Sequence, residues 1–383
     1  MEKILKTSPT VEHFLQALRK IPDKRDNRGK IHSYVFIITG VILGILAGRS
    51  TTSSLHRYIE NKIVWLREVT KMKDAKPISR AHLPRILNQI DWKTLDQLIM
   101  SHFNVHLPRE VVEEWLGVDG KVLKGTLKSG EKQAIIHAVT HKSGREVGQA
   151  RQSGNKSSEI PAVRKLLKES GLEKRKVTLD AHHCNPKTTA QIASAKGRYL
   201  TQVKKNQLKL LKQCKELGGK EKILFSCENC EKANGRLTTR KARVYAINAF
   251  SSDARWQESC LETLVVIKRE TLTIKSAKTS EETSYYVSNQ AVKNDDSKSF
   301  YDLVEAVRGH WAVESNNWIL DVTFNEDKVK TTAVNQSYIM GRLRSFALQL
   351  LRKAGVKNFQ AAMERFADST SSMEMMLRQV QFL

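Results

Sequence analysis

Residues 176–203, KVTLDAHHCNPKTTAQIASAKGRYLTQV, read as strand, helix, strand. KVTLD (Lys176–Asp180) is a short apolar run ending on an acid, Lys187–Ala195 reads as a helix, and RYLTQV (Arg198–Val203) returns to a strand. Working outward, three β-rich runs precede this unit: WLGVD (Trp115–Asp119), AIIHAVT (Ala134–Thr140) and EVGQAR (Glu146–Arg151), separated by Gly, Lys and Ser turns. A helix over Ser157–Glu169, with Ile160, Val163, Leu166 and Leu167 on one face, follows them. Three strands, helix, strand, helix, strand is the order of a ribonuclease-H-like α/β (α+β) core, a mixed sheet covered by helices.

Beyond this core, residues 222–287 turn strand-like again through RKARVYAI, TLVVIKR and SYYVSN, which predicts a β-rich insertion. One helix is then expected over Lys298–Leu320 and another over Ser337–Lys353. The first hundred residues read as helical, with apolar spacing in Val11–Leu18 and Leu95–Phe103. Between them, Tyr34–Gly48 (YVFIITGVILGILAG) falls short of the roughly 20 residues that cross a bilayer and predicts a buried helix. Gly48 to Ser54 supplies a helix stop and a new N-cap cluster. The expected division is a helical N-terminal domain at 1–107, the core at 108–350 with its insertion, and a helical tail at 351–383.

The 383-residue chain carries 65 Lys+Arg against 40 Asp+Glu, a formal charge of +25. A surface of that sign calls for a polyanion, nucleic acid first, because each cation placed on a phosphate releases condensed counterions. With 40% hydrophobic residues, global disorder is excluded. The start, MEKILKTSPT, lacks the basic and apolar pattern of a secretory signal, so a cytoplasmic, nucleoid-associated protein with no membrane span is expected. Five cysteines show no disulfide-like spacing. Cys227 and Cys230 form a CxxC pair without a second pair, so they read as free thiols in a turn, with zinc the lesser reading.

Asp119 and Asp180 each end an apolar strand and precede a small residue, Gly120 and Ala181. Two such acids can point at one spot and suit a hard cation such as Mg²⁺; each alone reads equally as a turn former or N-cap. In RGHWAVESNNWILDVTFNED (308–327), His310, Glu314, Asn317 and Asp321 share one helical face. Trp311, Ser315, Trp318 and Val322 form the next stripe, which predicts a helix packed by its tryptophans on the sheet edge and offering Glu314 to a metal. The plain alternative is an exposed polar face, and Asp321, Glu326 and Asp327 compete for the acidic role. His182 and His183 read as hydrogen-bond partners of the nearby acid. Lys204 and Lys205, beside Asn206 and Gln207 after the RYLTQV strand, read as phosphate contacts or a solvated helix start, and Arg308 and His310 orient DNA, orient the acid, or pair with a carboxylate. Lys20, Lys24, Arg25, Arg28 and Lys30 form a basic cluster that reads as a DNA contact or a solvated loop.

With VDGKVLKG (118–125), KSSEI (156–160), VTLDAHHC (177–184), YLTQVKKNQ (199–207), the 308–327 segment, and FLQALRKIPDKRDNRGKIH (14–32), nearly the whole chain resembles the Rhs-linked H-repeat branch of insertion-sequence DDE transposases. The resemblance implies metal-dependent cutting of element ends and strand transfer, with Asp119, Asp180 and Glu314 as the catalytic and metal-holding acids. It implies Mg²⁺, replaceable by Mn²⁺, and as partners double-stranded DNA with terminal inverted repeats, target DNA, and a second copy of the chain on DNA. The expected DNA-contacting set is Lys124, Lys204, Lys205, Asn206, Arg308 and His310. The sequence departs from the branch at Ser315, Asn317 and Lys124, where Asn, His and Arg are usual, and in a spacing from Glu314 to Trp318 shorter by one. Asp321 stands where wider relatives carry a Lys. Two other classes stand beside this one: a recruited DNA-binding protein that no longer moves DNA, and a ribonuclease-H-like nuclease that cuts branched DNA of any sequence.

Overall fold

The computed structural model describes residues 14–23, 25–26, 30–104, 113–125, 133–153, 159–220, 222–247, 253–328, 330–331 and 333–383. Residues 11–13, Lys24, Arg28, the 107–108 boundary and residues 156–158 of KSSEI lie outside them. Apart from short 3-10 turns, the elements in chain order begin with α1 (Phe14–Leu18), α2 (Tyr34–Leu46), α3 (Thr52–Asn61), α4 (Ile63–Thr70), α5 (His82–Gln89) and α6 (Trp92–Asn104). There follow β1 (Trp115–Val122), β2 (Gln133–Thr140), β3 (Glu146–Ser153), α7 (Glu159–Glu169), β4 (Lys176–Leu179), α8 (Pro186–Ser194), β5 (Arg198–Val203) and α9 (Leu208–Lys220). The chain continues through β6 (Phe225–Ala233), β7 (Arg236–Ala246), β8 (Thr263–Thr273), β9 (Lys278–Ser288), α10 (Ser297–Gly309) and α11 (Trp311–Val322), and ends in α12 (Val334–Lys353), α13 (Phe359–Asp368) and α14 (Thr370–Gln379).

By its internal contacts the chain divides into two units: Met1–Leu107 with Lys121–Ile135 and Asn316–Leu383, and Pro108–Gly120 with Ile136–Ser315. In the first unit every residue of α2 is buried, as an all-round apolar sequence requires. Thr51 caps α3 in a reciprocal box with Ser54, the start that the Gly48–Ser54 signal predicts. The C-terminal helices share this core: Phe346, Leu350, Phe366 and Leu377 lie in one apolar cluster with Phe14, Ile38, Leu55 and Leu87. In α12, Arg342 is 1% exposed and its guanidinium lies 2.7 Å from Asp96. Among the described residues no helix is long and apolar enough to cross a membrane.

The second unit carries the sheet, ordered β3-β2-β1-β4-β5-β9-β8-β7-β6. β1, β4 and β5 are parallel, in the register Val118↔Leu179 and Val177↔Tyr199, and β9 returns antiparallel to β5. This is the mixed, helix-covered sheet of a ribonuclease-H-like fold. The insertion extends that same sheet, because β9 takes the free edge of β5 and β8, β7 and β6 add outward. The strand at Phe225–Ala233 went unread in the sequence, since most of its side chains are exposed and show no apolar alternation.

Three expectations are corrected here. β1 runs on to Val122, so Asp119 lies inside the strand and not at its end. The helix expected over 298–320 is two helices that meet at His310, where Gly309 leaves room for the His141 ring that a Cβ would strike. The tryptophan stripe faces solvent: Trp311, Trp318 and Val322 are 69%, 60% and 52% exposed. The buried stripe of α11 is Val313, Asn316, Asn317 and Leu320, at helical spacing i, i+3, i+4 and i+7, so the two smaller apolar residues and the asparagines decide which face turns inward.

Candidate active site

Asp119 and Asp180 each stand one step beyond the last paired residues, Val118 and Leu179, of the neighbouring parallel strands β1 and β4. Parallel strands lie about 4.8 Å apart, so the register alone brings the two acids side by side. The loop after Asp180 is pinned at three points. The His183 main-chain N–H donates to Asp180 Oδ1 at 3.1 Å, Asn206 Nδ2 donates to the Ala181 carbonyl at 2.6 Å, and Gln207 Nε2 donates to the Cys184 carbonyl at 3.0 Å. Asn206, read from the sequence as a DNA contact, thus has its amide engaged in holding the loop that carries Asp180.

Glu314 stands exposed in the first turn of α11, where Val313 packs on Gly117 of β1, and lies near enough to Asp180 to feel its charge. Four residues earlier, His310 Nδ1 lies 2.9 Å from the Thr178 hydroxyl, and His141 Nε2 lies 2.9 Å from that same hydroxyl. Burial pushes both imidazoles down, His310 to about 4 and His141 to about 3, so both rings are neutral at physiological pH. His310 therefore anchors the start of α11 to β4 from inside.

The electrostatics tie the three acids together. Burial, and then the Asp180 charge, raise Asp119 to about 6, with His183 opposing and Glu159 adding to the rise. Burial and Asp180 also raise Glu314, against the pull of Lys204. One carboxylate thus acts on both of the others.

Two more residues complete the cluster: Glu159, which the sequence reading did not assign to the site, and His183, read there as a hydrogen-bond partner of the nearby acid. Ligand atoms of Asp119, Glu159 and His183 lie within 4.8 Å of one another, which among the described residues is the one group of three or more His, Cys, Asp or Glu side chains so arranged. Glu159 opens α7, and His183 Nε2 sits 3.1 Å from its Oε1. A Cβ at position 120 would overlap the Glu159 carboxylate, so Gly120 is what admits it beside Asp119. Carboxylates gathered this closely fit a divalent cation, which turns their repulsion into ligation. The signal in the sequence was the glycine after Asp119 together with the acid of KSSEI.

The remaining residues singled out by sequence lie as follows. Lys205 is exposed at the start of the 3-10 turn Lys205–Gln207. Arg308 pairs with Glu231 at 3.2 Å. Lys124 pairs with Asp327 at 2.7 Å, and buried Lys121 meets Glu326 and, at 2.7 Å, Asp321. The three acids that compete with Glu314 by sequence are thus occupied by lysines of their own unit. Arg25 is folded onto Asp23 at 2.6 Å and over the Tyr34 ring. Cys227 and Cys230 lie in β6, not in a turn, and three positions apart on a strand they face opposite sides, which is no start for a zinc site. A groove of about 540 Å³ is lined by Ile160, Pro161, Arg164, Asn185, Pro186, Lys187 and Arg255. It abuts Glu159 and His183 in sequence and gathers three cations against one acid, the Asp253 paired with Arg255 at 2.5 Å.

The family described as Transposase DDE domain matches residues 116–350, and the one described as DDE_Tnp_1-associated matches residues 15–103. The chain is similar to the protein named "Putative transposase YncI" of Escherichia coli O157:H7, with 28% identity over 367 residues that cover 91% of this chain and 90% of that one. It is similar also to the "H repeat-associated putative transposase YhhI" of Escherichia coli (strain K12), with 24% identity over 375 residues, 93% of this chain and 96% of that one.

Proposed function

Because the chain belongs to the DDE transposase family, and within it to the H-repeat-associated branch, we propose that it cuts double-stranded DNA at the terminal inverted repeats of an insertion sequence and transfers the freed 3′ ends to target DNA. The observation that carries this reading is the convergence of acids from separate elements: the β1–β4 register sets Asp119 beside Asp180, and the Asp180 charge raises both Asp119 and Glu314.

In this reading Asp119, Asp180 and Glu314 hold divalent cations, Mg²⁺ by preference and Mn²⁺ as a substitute. Bound there, the ions supply positive charge for in-line displacement at phosphorus and activate water or a DNA 3′-hydroxyl. The protein's own part is positioning. Asn206 and Gln207 fix the Asp180 loop, His310 fixes the first turn of α11 through Thr178, and the Lys204 charge favours the ionised form of Glu314. Lys204, Lys205 and Arg308, with Arg164, Lys187 and Arg255 of the groove, are assigned to backbone phosphates, which set the register of DNA without reading its sequence. Lys124 is assigned a phosphate contact only after release from Asp327.

Residues 1–107 are proposed to read the terminal repeats, residues 108–350 to carry the chemistry, and 351–383 to form a helical tail. Joining two ends calls for a homodimer on DNA, and a genomic substrate calls for a cytoplasmic, nucleoid-associated protein.

The test is a Mg²⁺-dependent cleavage and strand-transfer assay on DNA bearing the sequences that flank the gene, comparing wild type with Glu314→Gln. Defined cuts by wild type, and binding without cutting by the variant, are expected. Binding by both with no cutting in Mg²⁺ or Mn²⁺ would replace this reading with that of a recruited DNA-binding protein.

A further inference from the structure

The strands bring Asp119 and Asp180 together, yet the tightest cluster of ligand atoms in the neighbourhood includes neither Asp180 nor Glu314. It consists of Asp119, Glu159 and His183, within 4.8 Å of one another. Oxygens on opposite sides of a divalent cation, with bonds of about 2.1–2.5 Å, lie about 4.2–5 Å apart, so this spread is that of a coordination shell. We propose that Glu159 is a fourth carboxylate of the metal centre, sharing a cation with Asp119, and that His183 is the positioning residue that aims it. This rests on the metal-dependent reading above.

Three observations carry it. Position 120 is a glycine where any side chain would displace the Glu159 carboxylate, so the backbone next to Asp119 is shaped to admit a second acid. His183 is fully buried and joins two of the acids: its ring nitrogen Nε2 lies 3.1 Å from Glu159 Oε1, and its main-chain N–H donates to Asp180 Oδ1 at 3.1 Å. With Nε2–H donated to Oε1, the second oxygen of Glu159 keeps its lone pairs for a cation, the arrangement by which outer partners orient a ligand. The other ring nitrogen, Nδ1, is buried without a hydrogen-bond partner, so the ring's placement answers to Glu159 and not to a second anchor.

A different buried pair in the same unit shows what a structural role looks like. His137 Nδ1 meets Glu146 at 2.7 Å with both side chains 1% exposed, and no third ligand joins them within the described residues. Glu159, in contrast, sits among acids. Its carboxylate lies within reach of Asp119 as well as of His183, an arrangement that a cation can complete, whereas Glu146 serves the fold in every state.

The experiment measures Mn²⁺ binding to the full chain by the loss of the free-ion electron paramagnetic resonance signal, with thermal midpoints in EDTA, for wild type, Glu159→Gln, Asp119→Asn and Glu146→Gln. Glu159→Gln is expected to bind Mn²⁺ at least about tenfold more weakly with a metal-free midpoint equal to or above wild type, since one of several like charges is removed. Glu146→Gln is expected to do the reverse, with a lower midpoint and unchanged binding. If Asp119→Asn loses Mn²⁺ while Glu159→Gln binds as wild type does, the fourth ligand is refuted and the three-acid reading stands. If wild type itself binds no Mn²⁺ at millimolar concentration, both readings fail. Should Glu159→Gln not fold, Glu159→Asp draws the carboxylate back by one methylene while keeping its charge, and the same criteria apply to it.

Discussion

Replacing Asp119 by Asn should make the metal-free protein more stable, which is unusual for a residue placed at the centre of a site. Asp119 is held at about 6, against 3.8 for an unperturbed aspartate, chiefly by burial and then by Asp180. For an acid raised on folding, the native state keeps its proton over a range in which the unfolded chain has released it. Stability is therefore complete below about pH 4, declines as pH rises through 6, and stays at its lower level beyond. At 1.36 kcal/mol per unit, the shift corresponds to about 3 kcal/mol lost by wild type above pH 7. Asn keeps the shape and can still accept from the Gly120 main chain, but it carries no charge to strand. For a unit of this size 1 kcal/mol moves the midpoint by roughly 2–4 °C, so Asp119→Asn should melt roughly 6–12 °C higher in EDTA at pH 8. The gap should close as pH falls toward 4, and saturating Mg²⁺ or Mn²⁺ should narrow or invert it, because wild type alone regains a ligand. Differential scanning fluorimetry across pH 4–8, with EDTA and with metal, measures all three. A variant that melts below wild type in EDTA at pH 8, or a gap that does not depend on pH, would refute the account of Asp119 as a charge stored for ligation.

Two further outcomes test other parts of the molecule. Arg164→Glu combined with Lys187→Glu should leave the fold intact and weaken DNA binding regardless of sequence, lowering the slope of log Kobs against log salt by about 2, as read by fluorescence anisotropy from 50 to 200 mM salt. Arg342→Ala should cost about 3–5 kcal/mol in urea unfolding, because it leaves Asp96 without the partner now 2.7 Å away.

The parts legible in the sequence were those whose pattern is local. Short β-rich apolar runs in WLGVD, AIIHAVT and RYLTQV mark β1, β2 and β5 because each of these strands is largely or wholly buried, and the all-apolar run of α2 admits only a buried helix. Asp119 and Asp180 are legible as a pair because each closes a short apolar run and precedes a small residue. What escaped depended on the fold in three dimensions. Glu159 in the first turn of a helix reads as an ordinary acid at a positive dipole end, and only the packing of α7 shows that it faces Asp119. The face of α11 was misread because the two large tryptophans drew the packing stripe, yet Val313 and Leu320, of residue types more often fully buried, turn inward while both tryptophans stay in water. The break at His310 likewise depends on His141, a residue 169 positions away in sequence whose ring occupies the space beside Gly309.

That outward-turned face makes α11 optically distinct. Of the chain's six tryptophans, Trp92, Trp115 and Trp256 are shielded from water, whereas Trp311, one turn before Glu314, is open to it. An indole in water emits at longer wavelength than one in a core and is quenched when a nucleobase stacks on it. The red edge of the intrinsic fluorescence therefore comes preferentially from the helix that carries the last acid, and the arrival of DNA at that helix can be followed on the unlabelled protein, separately from events in its interior.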